Sequence, residues 1–342
     1  MNTSRWDDKR PIDRVRESAL SMQIGGPEDG AISVMIDMGM AVYVVKEHAI
    51  YAVQLADQVD PGRTNVAVPN TQQRLLSIGT HDPEVARIFL TAYTMFKSMH
   101  LGASFPEREA WSLAFEFLRD IVAMMEIHSA LVKAIEEAVA GFNAVGTKDR
   151  SISLPSLGNS EERCDAFAQK VGHAIDALKA VARLFYPNEL SKKWIDSLTA
   201  VAAKKHGEQA ALARFMKDKG SNLLFMREMR NMIEHAQVDA YVRVWDFQLL
   251  PSMELAAPSV EIVRPGQPPM SGPLASFMAQ IVEELVSIAE AFFALLCGAN
   301  AHSFSGFPVV VMELPPSRRP KWNPHQRISY GIEMNGEVHP LG

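Results

Sequence analysis

The chain reads as a mainly α protein: helical bundles with a small β excursion and a short β-containing C-terminal tail. Three observations predict this class. Apolar residues recur every three or four positions over most of the chain as far as Cys297. Hydrophobic residues make up 47% of the 342, enough to bury a sizeable core. Strand-like alternation is confined to segments after Ala240.

The elements follow in order. Residues 1–30 are charged and then rich in Gly and Pro, which predicts a tail or short helix over Ile12–Met22 and a loop. From Ala31 to Asp60 the positions Met35, Met38, Val42, Val45, Ala49, Ala52 and Leu55 have helical spacing, and Asp60-Pro61-Gly62 ends the pattern. A second helix opens at Asp82 with Pro83 at its first position, burying Val85, Ile88, Phe89, Ala92, Tyr93, Phe96 and Met99. A third starts near Ser104, where Ser104-x-x-Glu107 has the form of a capping box, and runs to about Val145.

Gly141, Gly146, Pro155 and Gly158 mark a boundary, which divides the chain into units 1–150, 151–300 and 301–342. In the second unit a helix runs from Asn159 or Ser160 to Tyr186, ended by Pro187. Glu189–His206 forms another, Gly207–Lys219 continues or follows it, and Gly220-Ser221-Asn222 precedes a helix over Leu223–Gln237. Tyr241–Leu250 and Ser259–Val263 form a hairpin-like excursion, 265–273 is a loop, and Leu274–Cys297 is the last long helix. In the third unit, 308–314 and 327–334 are short strands around a proline-rich, basic segment.

Composition narrows the function. The formal net charge is −6, against a protein that coats nucleic acid generally. Yet Lys204 to Arg230 holds seven basic and three acidic residues, a local field suited to an anion. Two cysteines, Cys164 and Cys297, suit small buried apolar residues in a reducing, cytoplasmic setting. The N-terminus has no apolar stretch of the secretory kind, and no segment reaches the roughly 20 apolar residues of a membrane span. The sequence contains no GxGxxG after a strand, no GxxxxGK[ST], no HExxH, no cysteine pair with zinc spacing and no GxSxG. Accordingly no metal, cofactor or membrane association is expected.

The densest chemistry lies on Leu223–Gln237. Phe225, Met226, Met229, Met232, Ile233 and Ala236 share one arc of this helix, and Arg227, Arg230, Asn231, Glu234 and His235 share the other. Arg230-Asn231-x-x-x-His235, on a late amphipathic helix of a bundle, resembles the signature of the HEPN superfamily, a likeness that extends over roughly 160–300. The resemblance implies a metal-independent endoribonuclease. Arg230, Asn231 and His235 would act on RNA across a homodimer interface, with Glu234 and Arg227 supporting. It leaves the RNA substrate open, as well as the choice between toxin, defence and RNA-processing roles. His235 suits proton transfer and the planar fork of Arg230 suits a phosphate. One HEPN subgroup is silenced by nucleotidylation of a Tyr two residues after the motif His; here that position is Gln237. The competing expectation is a non-catalytic helical scaffold, or a module that binds RNA, nucleotide or another phosphate-bearing ligand. A His235 buried in the core would favour it.

Overall fold

The computed structural model describes residues 9–18, 21–142, 151–304, 306–334 and 337–341. A short helix α1 (Pro11–Glu17) leads into strands β1 (Ile32–Asp37), β2 (Val42–Lys46) and β3 (Ile50–Gln54). After α2 (Ala56–Val59), β4 (Thr71–Leu76) completes a four-stranded antiparallel sheet in the order β1-β2-β3-β4.

This sheet corrects the helix expected over Ala31–Asp60 and, with it, the mainly α class. The protein is mixed α/β, 49% helix and 19% strand, with four small antiparallel sheets among the described residues. The physical reason is local. The β-branched residues Ile32, Val34, Ile36, Val42, Val44, Val45, Ile50 and Val53 favour the pleated backbone. Gly39 takes a positive φ of 89° in the β1–β2 turn, where its N–H donates to Asp37 Oδ1 at 2.8 Å. The strands are short, so hairpin turns reset the period and mimic helical spacing. Met35 and Leu55, placed on the buried face of that helix, are 58% and 46% exposed. One face of the sheet joins the main core through Ile36, Val45, Ile50 and Leu76.

A helical turn opens at Pro83 as expected, widens into a π-helical turn over Val85–Leu90 and continues as α3 (Thr91–Met95). The helix breaks at Phe96, so Met99, on α4 (Ser98–Leu101), is exposed rather than buried. α5 (Glu107–Ala140) follows without the expected capping box: the Glu107 carboxylate accepts the N–H of Ser98 instead. α5 ends at Ala140, short of the expected end near Val145, and part of the expected boundary falls in 143–150, outside the described residues.

α6 (Ser160–Phe185) packs along α5, and α7 (Trp194–His206) leads into α8 (Ala211–Glu234). α8 runs straight through Gly220, where a break was expected. A Cβ there would lie 3.1 Å from Ile195 Cγ2, so glycine serves close packing of α7 on α8. β5 (Tyr241–Trp245) pairs antiparallel with β8 (Ser259–Val263), as the alternation predicts. Between them lie the two-residue strands β6 (Gln248–Leu249) and β7 (Leu255–Ala256). The segment read as a loop at 265–273 contributes β9 (Met270–Pro273), which makes the sheet β5-β8-β9.

α9 (Leu274–Asn300) is the central helix, with Leu285, Ala289, Phe292, Phe293 and Leu296 fully buried. The C-terminal strands β10 (Val309–Glu313), β11 (Ile328–Met334) and β12 (Glu337–Pro340) form a sheet laid on the helices. Tyr330 OH donates to Met95 O at 2.7 Å. Arg87, on the π-helical turn, donates to Glu290 Oε2 at 2.8 Å, while Arg327 lies 3.5 Å from the same oxygen. One continuous core thus holds residues of α5, α6, α8, α9, β1 and β11.

Candidate functional site at the end of α8

The second half of α8 buries Met226, Met229 and Met232 of the apolar arc read from the sequence, together with Leu223, which was not assigned to it, while Phe225 and Ile233 are half-buried. The opposite arc carries the expected polar groups, but the helix ends earlier than the pattern implied. Glu234 is its last residue, and His235 leaves helical geometry with φ −137° and ψ 58°. The His235 N–H still donates to Asn231 O at 2.8 Å, which keeps the two residues one turn apart. Asn231 and His235 are both exposed, and Ala236, assigned to the apolar arc, is exposed as well.

Arg230 is the anchored member. Its Nε and Nη2 approach Glu234 Oε1 at 3.1 and 3.0 Å, a one-turn pair. Its stem crosses α6 at Gly172, where a Cβ would stand 2.6 Å from Arg230 Cδ. Glycine at 172 therefore makes the slot in which the guanidinium lies, a supporting residue that motif spacing does not reveal. Arg227 is half-buried on the preceding turn and has no ion pair among the described residues.

Two electrostatic features shape what can bind. The negative pole of α8 lies at this end, so an arriving anion must be held by side-chain cations rather than backbone amides. The basic run before the motif is partly neutralised. Lys205 pairs with Glu189, Lys219 lies 3.0 Å from Glu284, and Arg230 meets Glu234.

Beyond His235 the chain reverses in a tight turn, with Gln237 N–H donating to Ala240 O at 2.8 Å, and enters β5. The inward residues Val242 and Val244 pack on the core. The outward residues form a ladder: the Arg243 guanidinium sits 5.0 Å from the Tyr241 ring centroid and 5.3 Å from that of Trp245. The period of two in YVRVW is the signal that could have found this face. A groove of about 520 Å³ lies between β5, the end of α8 and the start of α6. Its α6 wall is acidic, with Glu161 and Asp165; burial, then the nearby Glu161 and Glu162, holds the Asp165 carboxyl above its ordinary range. Cys164 also faces this groove, but burial pushes its thiol up to about 12, which leaves it no nucleophile near neutrality.

Among the described residues no group of three or more His, Cys, Asp or Glu could hold a metal ion, and no helix is long and apolar enough to cross a membrane. No family model matches the chain, and no curated protein or solved structure matches it.

Proposed function

We propose that the protein is a HEPN-like, metal-independent endoribonuclease whose site is completed by a second copy of the chain. The observation that carries this reading is the solvent-facing cluster at the end of α8. A guanidinium is held in a glycine slot, and an amide and an imidazole one turn apart are both open to solvent.

RNA supplies its own nucleophile, the 2′-hydroxyl. The protein must then remove that proton, protonate the leaving 5′-oxygen and stabilise the charge on phosphorus. His235 serves as base or acid and Arg230 binds the phosphate through its fork. Asn231 orients the ring or a phosphate oxygen, and Glu234 holds Arg230 until substrate arrives. One imidazole does not readily give and take a proton in a single pass, so a second His235 across an isologous interface supplies the other role. The Tyr241–Arg243–Trp245 ladder, on the strand that follows the motif, supports a single-stranded substrate, because aromatic faces stack unpaired bases without regard to sequence.

The test is cleavage of single-stranded RNA by purified protein in EDTA. The expected products end in a 2′,3′-cyclic phosphate. Intact RNA, or cleavage that appears only when divalent metal is restored, would remove the assignment.

Gly172→Ala offers a structural check. The three atoms nearest the new methyl all belong to the Arg230 side chain, the closest at 2.6 Å, so the guanidinium stem must move. The variant should stay folded, because alanine's helix preference of roughly 0.5–1 kcal/mol over glycine offsets part of the cost of moving the Arg230 stem. Its RNA cleavage should nonetheless fall by about tenfold or more. Denaturant melts together with cleavage rates read both effects.

A further inference from the structure

A second cavity, of about 680 Å³, lies between α3, α4 and the C-terminal segment and shares no lining residue with the groove along β5. Its walls are largely apolar, with Leu314 and Tyr330 inside and Phe304, Met99 and Trp322 exposed at 47%, 71% and 37%. Its charged lining is all of one sign. Lys97 and Arg318 face it, His100 adds a buried imidazole, and no Asp or Glu lines it among the described residues. For a chain of net charge −6 that is an uneven distribution.

Lys97 is the unusual group. Its Nζ lies 3.7 Å from the centroid of Tyr93 and 4.5 Å from that of Trp111, and it makes no hydrogen bond among the described residues. Burial lowers its pKa against the opposing charge of Glu107, whose carboxylate is engaged by the Ser98 N–H. An ammonium with three unused donors, partly out of water, gains strongly from an anionic acceptor. Arg318, exposed and without an ion pair among the described residues, lines the same cavity and offers a second cation to the same anion.

We propose that this cavity binds a single-chain amphipathic anion, its carboxylate or phosphate head between Lys97 and Arg318 and its apolar tail against Leu314, Trp322 and Phe304. The volume falls in the ordinary range for small-ligand sites.

Titration calorimetry with decanoate, decyl phosphate and decylamine, each below its micelle concentration, tests this. Decanoate or decyl phosphate should bind, and which is tighter identifies the head group. Decylamine should bind at least about tenfold more weakly. Lys97→Met and Arg318→Ala should each weaken the anion by about five- to tenfold. Arg318 is exposed, so its variant keeps the test informative should Lys97→Met fold poorly. Equal affinity for decylamine and decanoate, unchanged binding by Arg318→Ala, or no heat with either anion would overturn the proposal. Cosedimentation with phosphatidylglycerol vesicles in the absence of decanoate binding would also overturn it, pointing to a membrane surface.

Discussion

His235→Ala is expected to lower metal-independent RNA cleavage by about 10²- to 10⁴-fold, the usual worth of a positioned acid or base. Arg230→Ala should cost on the order of 10²- to 10³-fold, because the phosphate charge loses a preorganised donor. Arg230→Lys should recover little of that loss, since an ammonium does not reproduce the planar fork that grips two phosphate oxygens. None of these variants should unfold the protein. His235 is exposed, and the Arg230–Glu234 pair, about one-third exposed on both partners, contributes at most about 0–1 kcal/mol. Matched melting curves with unmatched cleavage rates are therefore the signature of a site. Loss of both together would mean that these residues only hold the end of α8 in place.

Phe293→Ala is expected to destabilise the fold by about 3–5 kcal/mol. The ring is fully buried in the last third of α9, 5.2 Å from Phe96 and 6.5 Å from Phe117 between centroids. Phe96 in turn meets Phe105 and Phe185 at 6.1 and 6.0 Å. These rings come from α5, α6, α9 and the segments flanking α4, so the cavity left by alanine opens where the helices converge and cannot collapse from one side. Phe293→Leu keeps most of the volume and should cost less than about 1.5 kcal/mol. Denaturant unfolding gives both values, provided that the slope is unchanged. Equal small losses for the two variants would show that this aromatic cluster is not where the layers are joined.

How far the fold could be read in advance depended on element length and on where the determining contacts lie. α6 was legible almost to the residue, and α9 at its start, though it runs to Asn300 rather than Cys297: the two span 26 and 27 residues, long enough for the 3.6-residue period to dominate, and Pro187 stops one while Pro273 starts the other. β1, β2 and β3 were not, because strands of five or six residues give too few repeats to outweigh a spacing produced by their turns. β9 reads Met-Ser-Gly-Pro, with little strand propensity of its own; pairing with β8 makes it a strand.

At the site, the sharing of one helix face by Arg230, Asn231 and Glu234 was legible from spacing alone. The slot at Gly172 lies 58 residues upstream and exists only in the packing of α6 on α8. The end of α8 before His235 also reflects the tight turn at Gln237–Ala240 rather than any stop residue.

The central claim is that one chain is not enough to cut RNA. Titrating His235→Ala protein into wild type, after exchange of subunits, tests it most directly. With wild type diluted to a quarter of all chains, the activity per wild-type chain should fall to about one quarter, because each productive site needs two intact copies. Activity per wild-type chain that stays constant at every ratio would contradict the shared site.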